Sequence, residues 1–414
     1  MGAPTSSNRC FCPSPYSYGR KPATRSSQSL WSVVQRHRKR LRLPLATKSQ
    51  RRFFRDFKRR FKTHTTSASS RCVLRNEFGR PIGPTHGRLK SPANNTNTVA
   101  LQRVPKIAVY SPDGAQPWDD AVTMVLEYAD IPFTTIYDTE VLDGSLGDYQ
   151  WLHLHHEDFT GQYGKFYGSY RDAAWYINQK ASFEAAAHDM GFDKVSQQKL
   201  AVAKTISTFV DNGGFLFAMC SATDSYDIAL AAQKTDICES MFDGDPMAPG
   251  AAYQLDYAPC FAFKDFTLET NPLRYEYSNI DITDRRVRSM KKDNDYFELF
   301  DFSAKYDVIP TILVQNHTDL VKSFYGQTTA FLPKTLKPTT TILGSNAVDG
   351  AARYIHGTQG KGYWTFFGGH DPEDYQHRVG DPHTDLNNHP NSPGYRLILN
   401  NILFPAAKKP PQKT

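Results

Sequence analysis

Long apolar runs are missing from this sequence. The longest, such as Phe215 to Met219, fall far short of the roughly 20 residues that cross a bilayer, so a transmembrane helix is excluded and a soluble protein is expected. Cysteine is scarce as well, at 6 in 414 residues. Cys10, Cys12 and Cys72 lie in the first quarter and Cys220, Cys238 and Cys260 beyond it. An odd, scattered set of three makes neither a disulfide framework nor a zinc site, so a reduced body is the expectation. There is no Gly-x-x-x-x-Gly-Lys-Ser/Thr loop and no Gly-x-Gly-x-x-Gly after the first strand. ATP and NAD are therefore unsupported and no cofactor is expected. No apolar run of secretory length follows the early charges, which argues against a signal peptide.

Acidic residues are almost absent from residues 1–104, where 23 Lys or Arg face only Asp56 and Glu77. The rest holds 26 basic and 40 acidic residues, so a formal net charge of +7 hides a strongly basic extension on an acidic body. The extension is rich in Ser, Thr, Pro and Arg and reads as mostly disordered. Its exception is Arg51 to Lys62, where Phe53, Phe54, Phe57 and Phe61 fall at helical spacing among seven cations. Such a helix within residues 36–62 suits contact with a membrane surface or nucleic acid. The plainer alternatives are an organelle leader or an upstream stretch included by a misplaced start codon.

From Lys106 the texture changes to short apolar runs alternating with helical periods. Strands are expected at 106–111, 133–137, 151–156, 215–219, 308–314, 339–343 and 362–367, with regularity also over 323–331. Helices are expected after Pro117 and near 173–188, 196–210, 225–232 and 394–403. Asn212-Gly-Gly214 should end the third of these in a left-handed turn. This alternation predicts an α/β fold, a flavodoxin-like doubly wound and mostly parallel sheet spanning 105–405. Residues 233–310 break the rhythm and read as an inserted small lobe, and 406–414 as a basic tail.

In such a sheet ligands bind beyond the carboxyl ends of the strands. Three strand ends carry chemistry: His153, His155, His156, Glu157 and Asp158; Cys220, Ser221, Thr223 and Asp224; and His370, Asp371, Glu373 and Asp374. Cys220 stands at a strand-to-helix turn flanked by Ala218 and Ala222, the arrangement of a nucleophile elbow, where a helix N-terminus lowers the pKa of a thiol. Its alternative is a buried Cys serving as a small hydrophobe. His370 is the candidate general base, with Asp371 or Glu373 to orient the ring, or else Gly368 to Asp374 is simply a turn capped by its acids. His155, His156, Glu157, Asp158, Ser221 and Asp224 are candidate substrate contacts. If a metal binds, His155, Glu157 and His370 are its candidate ligands, although no known ligand spacing is matched.

The elbow Cys and the late strand ending in Gly-Gly-His370 resemble the class I glutamine amidotransferase-like superfamily, and within it the trehalose-utilisation (ThuA-like) branch, over about 105–232 and 340–405. Amidotransferases carry glycines where Ala218 and Ala222 stand, and their His-x-Glu is met one residue late by His370 and Glu373. ThuA-like proteins commonly have His where Cys220 stands, and Tyr395-Arg-Leu-Ile-Leu-Asn-Asn-Ile402 is similar to that branch. Residues 151–405 also resemble bacterial proteins labelled asparagine synthetase B, yet this sequence has neither a Cys after Met1 nor a pyrophosphatase loop. The resemblance implies Cys-dependent hydrolysis of glutamine or a related amide, with a small-molecule substrate and a synthase partner or acceptor domain. The rivals it leaves open are a ThuA-like protein holding a sugar or metal at the same rim, and a non-catalytic interaction domain.

Overall fold

The computed structural model describes residues 72–73, 100–112, 120–282, 295–301, 318–376 and 381–407. The basic helix expected at 51–62, the strand expected at 308–314 and Pro117 lie outside the described residues.

Nine strands form one sheet: β1 (Ile107–Tyr110), β2 (Thr134–Ile136), β3 (Trp151–Leu154), β4 (Phe215–Met219), β5 (Tyr296–Leu299), β6 (Leu320–Lys322), β7 (Thr341–Ser345), β8 (Ala352–Gln359) and β9 (Gly362–Phe367). Their spatial order is β2-β1-β3-β4-β9-β8-β7-β5-β6. The first five are mutually parallel and run 2-1-3-4-5 when counted among themselves, which is the flavodoxin-like order. The hairpin of β8 and β9 then turns the sheet antiparallel through β7, β5 and β6.

The helices expected in the body form α1 (Ala121–Tyr128), α3 (Ala174–Asp189), α4 (Val195–Asp211), α5 (Ala222–Ala231) and α6 (Pro393–Asn400), with a short α2 (Asp138–Leu142) after β2. Alternation along the strands sorts the core into two layers. Ile107, Trp151, Phe215, Phe217 and Phe367 pack under α1 and α6. Leu152, Leu154, Leu216, Trp364 and Phe366 pack under α4, α5 and the chain that follows α5. Gly213 takes a φ of 114° and ends α4 as expected.

Residues 233–282 form no strand of the main sheet. Cys260 to Phe263 and Phe266 instead enter the core beside α5. The buried Asp227 carboxylate of α5 takes the backbone N–H groups of Phe261, Ala262 and Phe263 at 2.7, 2.7 and 2.9 Å. Further along, Tyr296–Leu299 returns to the main sheet as β5. No helix among the described residues is long and apolar enough to cross a membrane.

Candidate functional site

Strands β3, β4 and β9 are neighbours, with Leu154 opposite Ala218 and Met219 opposite Phe367. Their carboxyl ends therefore deliver His155, Cys220 and His370 to one rim. Cys220 has a φ of 51° at the junction of β4 and α5, a conformation that costs a non-glycine residue strain. This is the sharp turn expected of an elbow.

The thiol itself departs from expectation. Cys220 is 2% exposed, and burial pushes its pKa up to about 11 although backbone N–H groups of Thr328, Gln327 and Ser221 pull it back. The start of α5 does not lower the thiol as expected, because desolvation of a buried sulfur outweighs those donors. The Gln327 N–H donates to Sγ at 3.1 Å. Above the sulfur lies a segment, 324–329, in place of the regular element expected there. A Cβ added at Gly326 would meet Cys220 Sγ at 2.9 Å and the His370 backbone N at 3.1 Å, so only glycine fits between elbow and histidine loop. The segment is tied down widely. Gln327 Nε2 donates to Gly164 O at 2.8 Å and Tyr275 O at 3.2 Å. Thr328 and Tyr325 carbonyls accept the Gly369 and His370 N–H groups at 2.9 and 3.0 Å, and buried Arg353 Nη2 donates to Phe324 O at 2.7 Å.

The imidazoles converge. The His370 ring centroid is 4.3 Å from that of His155 and 5.8 Å from that of His156, and His155 and His156 are 4.5 Å apart. Since β4 lies between β3 and β9, His155 and His370 meet across the end of β4. Asp120 organises them from the other side. Its carboxylate caps α1 by accepting the Val122 and Thr123 N–H groups at 2.7 and 3.0 Å. The same group reaches His153 Nε2 at 3.1 Å and His155 Nδ1 at 3.4 Å. Burial pushes the Asp120 carboxyl up, yet His153 and His155 outweigh it and hold the group well below its usual range. His153 is a core histidine, with Nδ1 3.2 Å from Phe217 O.

The acids chosen by closeness in sequence to His370 serve the turn. Asp371 accepts the Glu373 N–H at 2.8 Å and the Thr384 hydroxyl at 2.6 Å, while Glu373 pairs with His389 at 3.0 Å. Both acids are thus engaged within and beside the turn that carries His370. Ser221 and Asp224, expected to touch substrate, are fully buried, and Asp224 accepts the Thr328 hydroxyl at 2.9 Å. Burial and Asp281 hold the Asp224 carboxyl well above its usual range.

A small cleft of about 50 Å³, open to solvent, lies beside the rim and includes Pro112, Tyr137, His156, Glu157, Asp158 and Lys199 in its lining. These residues follow β1, β2 and β3 except for Lys199 of α4, so the cleft marks the switch point between β1 and β3 where this strand order places ligands. Burial pushes the Glu157 carboxyl up to about 7, although it accepts the His155 N–H at 2.8 Å. Asp158 lines the cleft while bonding Thr160 and Gly164 N–H groups at 2.7 and 2.9 Å. Lys199 is buried against Asp138 at 2.8 Å, with Tyr110 and Tyr137 hydroxyls at 2.9 and 3.0 Å. Asp120, Gln327, Arg353 and Lys199 were not selected as site residues from the sequence. Only Asp120 carried a signal, as a helix-starting acid.

The chain matches no family model and no curated protein. Among solved structures it is similar to Cytoplasmic Protein STM3548 from Salmonella typhimurium, at 9% identity and TM-score 0.35 over 73% of this chain and 100% of that one. It is likewise similar to Cytoplasmic Protein STM1381 from Salmonella typhimurium LT2, at 10% identity and TM-score 0.33 over 73% and 100%. A β-galactosidase from Bacillus circulans sp. alkalophilus aligns at 10% identity and TM-score 0.29 over 74% of this chain and 31% of that one. Likenesses of this strength say nothing about chemistry.

Proposed function

We propose that this chain hydrolyses a small carboxamide through Cys220, in the manner of class I amidotransferases, with glutamine the first substrate to test. The observation that supports this best is the strained φ of 51° at Cys220, held where a parallel strand turns into a helix. In the reaction the thiol proton passes to the His370 imidazole and sulfur attacks the amide carbonyl carbon. Backbone N–H groups near the elbow hold the oxyanion. The amine leaves with the proton from His370, and water then cleaves the thioester to release the acid. Segment 326–328 must move aside first, since it covers the sulfur. Ammonia delivered this way suits a synthase partner.

The test is ammonia and glutamate release from glutamine by the full chain beside Cys220→Ala, with a glutamine-like electrophile to trap the thiol. Release lost in the variant, with an adduct on Cys220, supports the proposal. A folded protein that gives neither release nor adduct sinks it.

A second reading, sugar binding in the ThuA-like manner, is favoured by the cleft at the switch point. Tyr163, Phe166 and Phe183 line it beside Glu157, Asp158 and Gln179, a mixture of ring faces and planar polar groups suited to a pyranose. Disaccharide binding that Phe183→Ala weakens about tenfold, with Cys220→Ala unaffected, would favour it. Binding indifferent to Phe183 removes it.

A further inference from the structure

The imidazole cluster holds more than thiol chemistry calls for, since that chemistry draws on His370 and leaves His155 and His156 without a role. We propose that His155, His156 and His370 bind one divalent transition ion of the zinc class, with Asp120 as the carboxylate supporting His155. One ligand nitrogen from each histidine lies within 4.8 Å of the other two. Zinc–imidazole bonds of about 2.0–2.1 Å place tetrahedral ligand nitrogens about 3.4 Å apart, so small ring rotations close the cluster on an ion. Three neutral nitrogen donors select zinc, cobalt, nickel or copper over magnesium or calcium.

The surroundings fit this use. Two histidines come from the end of β3 and one from the loop after β9, and the tethers of that loop to 325 and 328 hold the third ligand in place. Asp120 stands 3.4 Å from His155 Nδ1, so a carboxylate lies where it can support one ring nitrogen while the other binds an ion, the usual carboxylate–histidine–metal arrangement. The same Asp120 is anchored by α1, whose positive end favours its negative charge. His156 also lines the cleft, so the ion would border a site open to small molecules. Glu157, a candidate ligand in the sequence should a metal bind, accepts the His155 N–H at 2.8 Å, and His156 stands in the cluster in its place.

Another cluster, Asp236, Cys238 and Asp243, does not compete. Its charge is already met by Lys194, whose ammonium lies 2.7 Å from Asp236 and 3.0 Å from Asp243.

Metal on His370 would occupy the imidazole that thiol chemistry needs, so the two proposals make opposite demands on that residue and can fail separately. The experiment strips the full chain with a chelator and titrates Co²⁺ and Zn²⁺, following cobalt absorption, bound metal per chain and melting temperature. One ion per chain is expected, with visible cobalt bands and a raised melting temperature. His156→Gln and His370→Gln should each weaken binding roughly 100-fold or more, and Asp120→Asn, which retains a capping side chain, about 10–100-fold. Cys220→Ala should bind like the parent. Absence of stoichiometric metal in the folded chain overturns the proposal, as does binding that His156→Gln leaves unchanged while circular dichroism shows that variant folded.

Discussion

At the scale of single residues, the state of Cys220 is set by its cover. A thiol raised to about 11 and bonded by the Gln327 N–H should react slowly with a maleimide or disulfide reagent at pH 7. Cys238 and Cys260 are also buried and raised by burial, so all three body cysteines should start slow. Gln327→Ala removes the two side-chain bonds to Gly164 and Tyr275 that pin the segment. Cys220 labelling in that variant should rise about tenfold, corresponding to about 1.4 kcal/mol of lost closure, with Cys238 and Cys260 unchanged. Equal acceleration of all three would mean general loosening and would refute a local cover. The elbow was readable because a five-residue apolar strand, a Cys and a helix follow one another directly. The partners of His370 were not. Asp371 and Glu373 were chosen for nearness along the chain, whereas His370 meets His155 more than 200 residues away. Glycine 326 gave no hint either, since its need for close approach exists only after β4 and β9 pair.

At the scale of elements, the parallel half was legible because buried strands write themselves as short apolar runs, and 215–219 and 362–367 match β4 and β9. The antiparallel half was largely hidden. Strand β8 reads Ala-Arg-Tyr-Ile-His-Gly-Thr-Gln, and its polar residues mask a buried strand. Arg353 is nevertheless fully buried, its guanidinium 5.7 Å from the Phe297 and Phe324 ring centroids. The chain after α5 has its own anchor in Asp227, which takes three consecutive backbone N–H groups. Asp227→Ala leaves those donors buried without an acceptor and should cost about 3 kcal/mol, while Asp227→Asn, keeping one carbonyl oxygen, costs less. Urea midpoints measure both. A loss below about 0.5 kcal/mol for Asp227→Ala would show that 261–263 is held by packing alone.

At the scale of the whole molecule, the buried carboxyls should reverse the usual dependence of stability on pH. Burial raises Glu157 from 4.5 to about 7 and Asp227 from 3.8 to about 6, and with Asp281 it raises Asp224 well above its usual range. In each case the folded chain keeps a proton that the unfolded chain has released. Their stability is therefore complete below the unfolded value and lost as pH rises through the folded one. For Glu157 and Asp227 the loss between about pH 4 and pH 7 is roughly 3 kcal/mol each at 1.36 kcal/mol per unit. Asp120 acts with the opposite sign: its carboxyl is held low by His153 and His155, so its contribution is present above the usual range and lost only in stronger acid. These four groups together place the optimum near or below about pH 4 rather than above 7. Glu157→Gln still accepts the His155 N–H but has no proton to lose, so it should match the parent at pH 4.5 and exceed it by about 3 kcal/mol at pH 8. Urea unfolding at several pH values decides the matter. Parent stability that climbs steadily from pH 5 to 7, or a Glu157→Gln curve parallel to the parent, would mean that water reaches these carboxyls in the folded chain and holds them near their ordinary range.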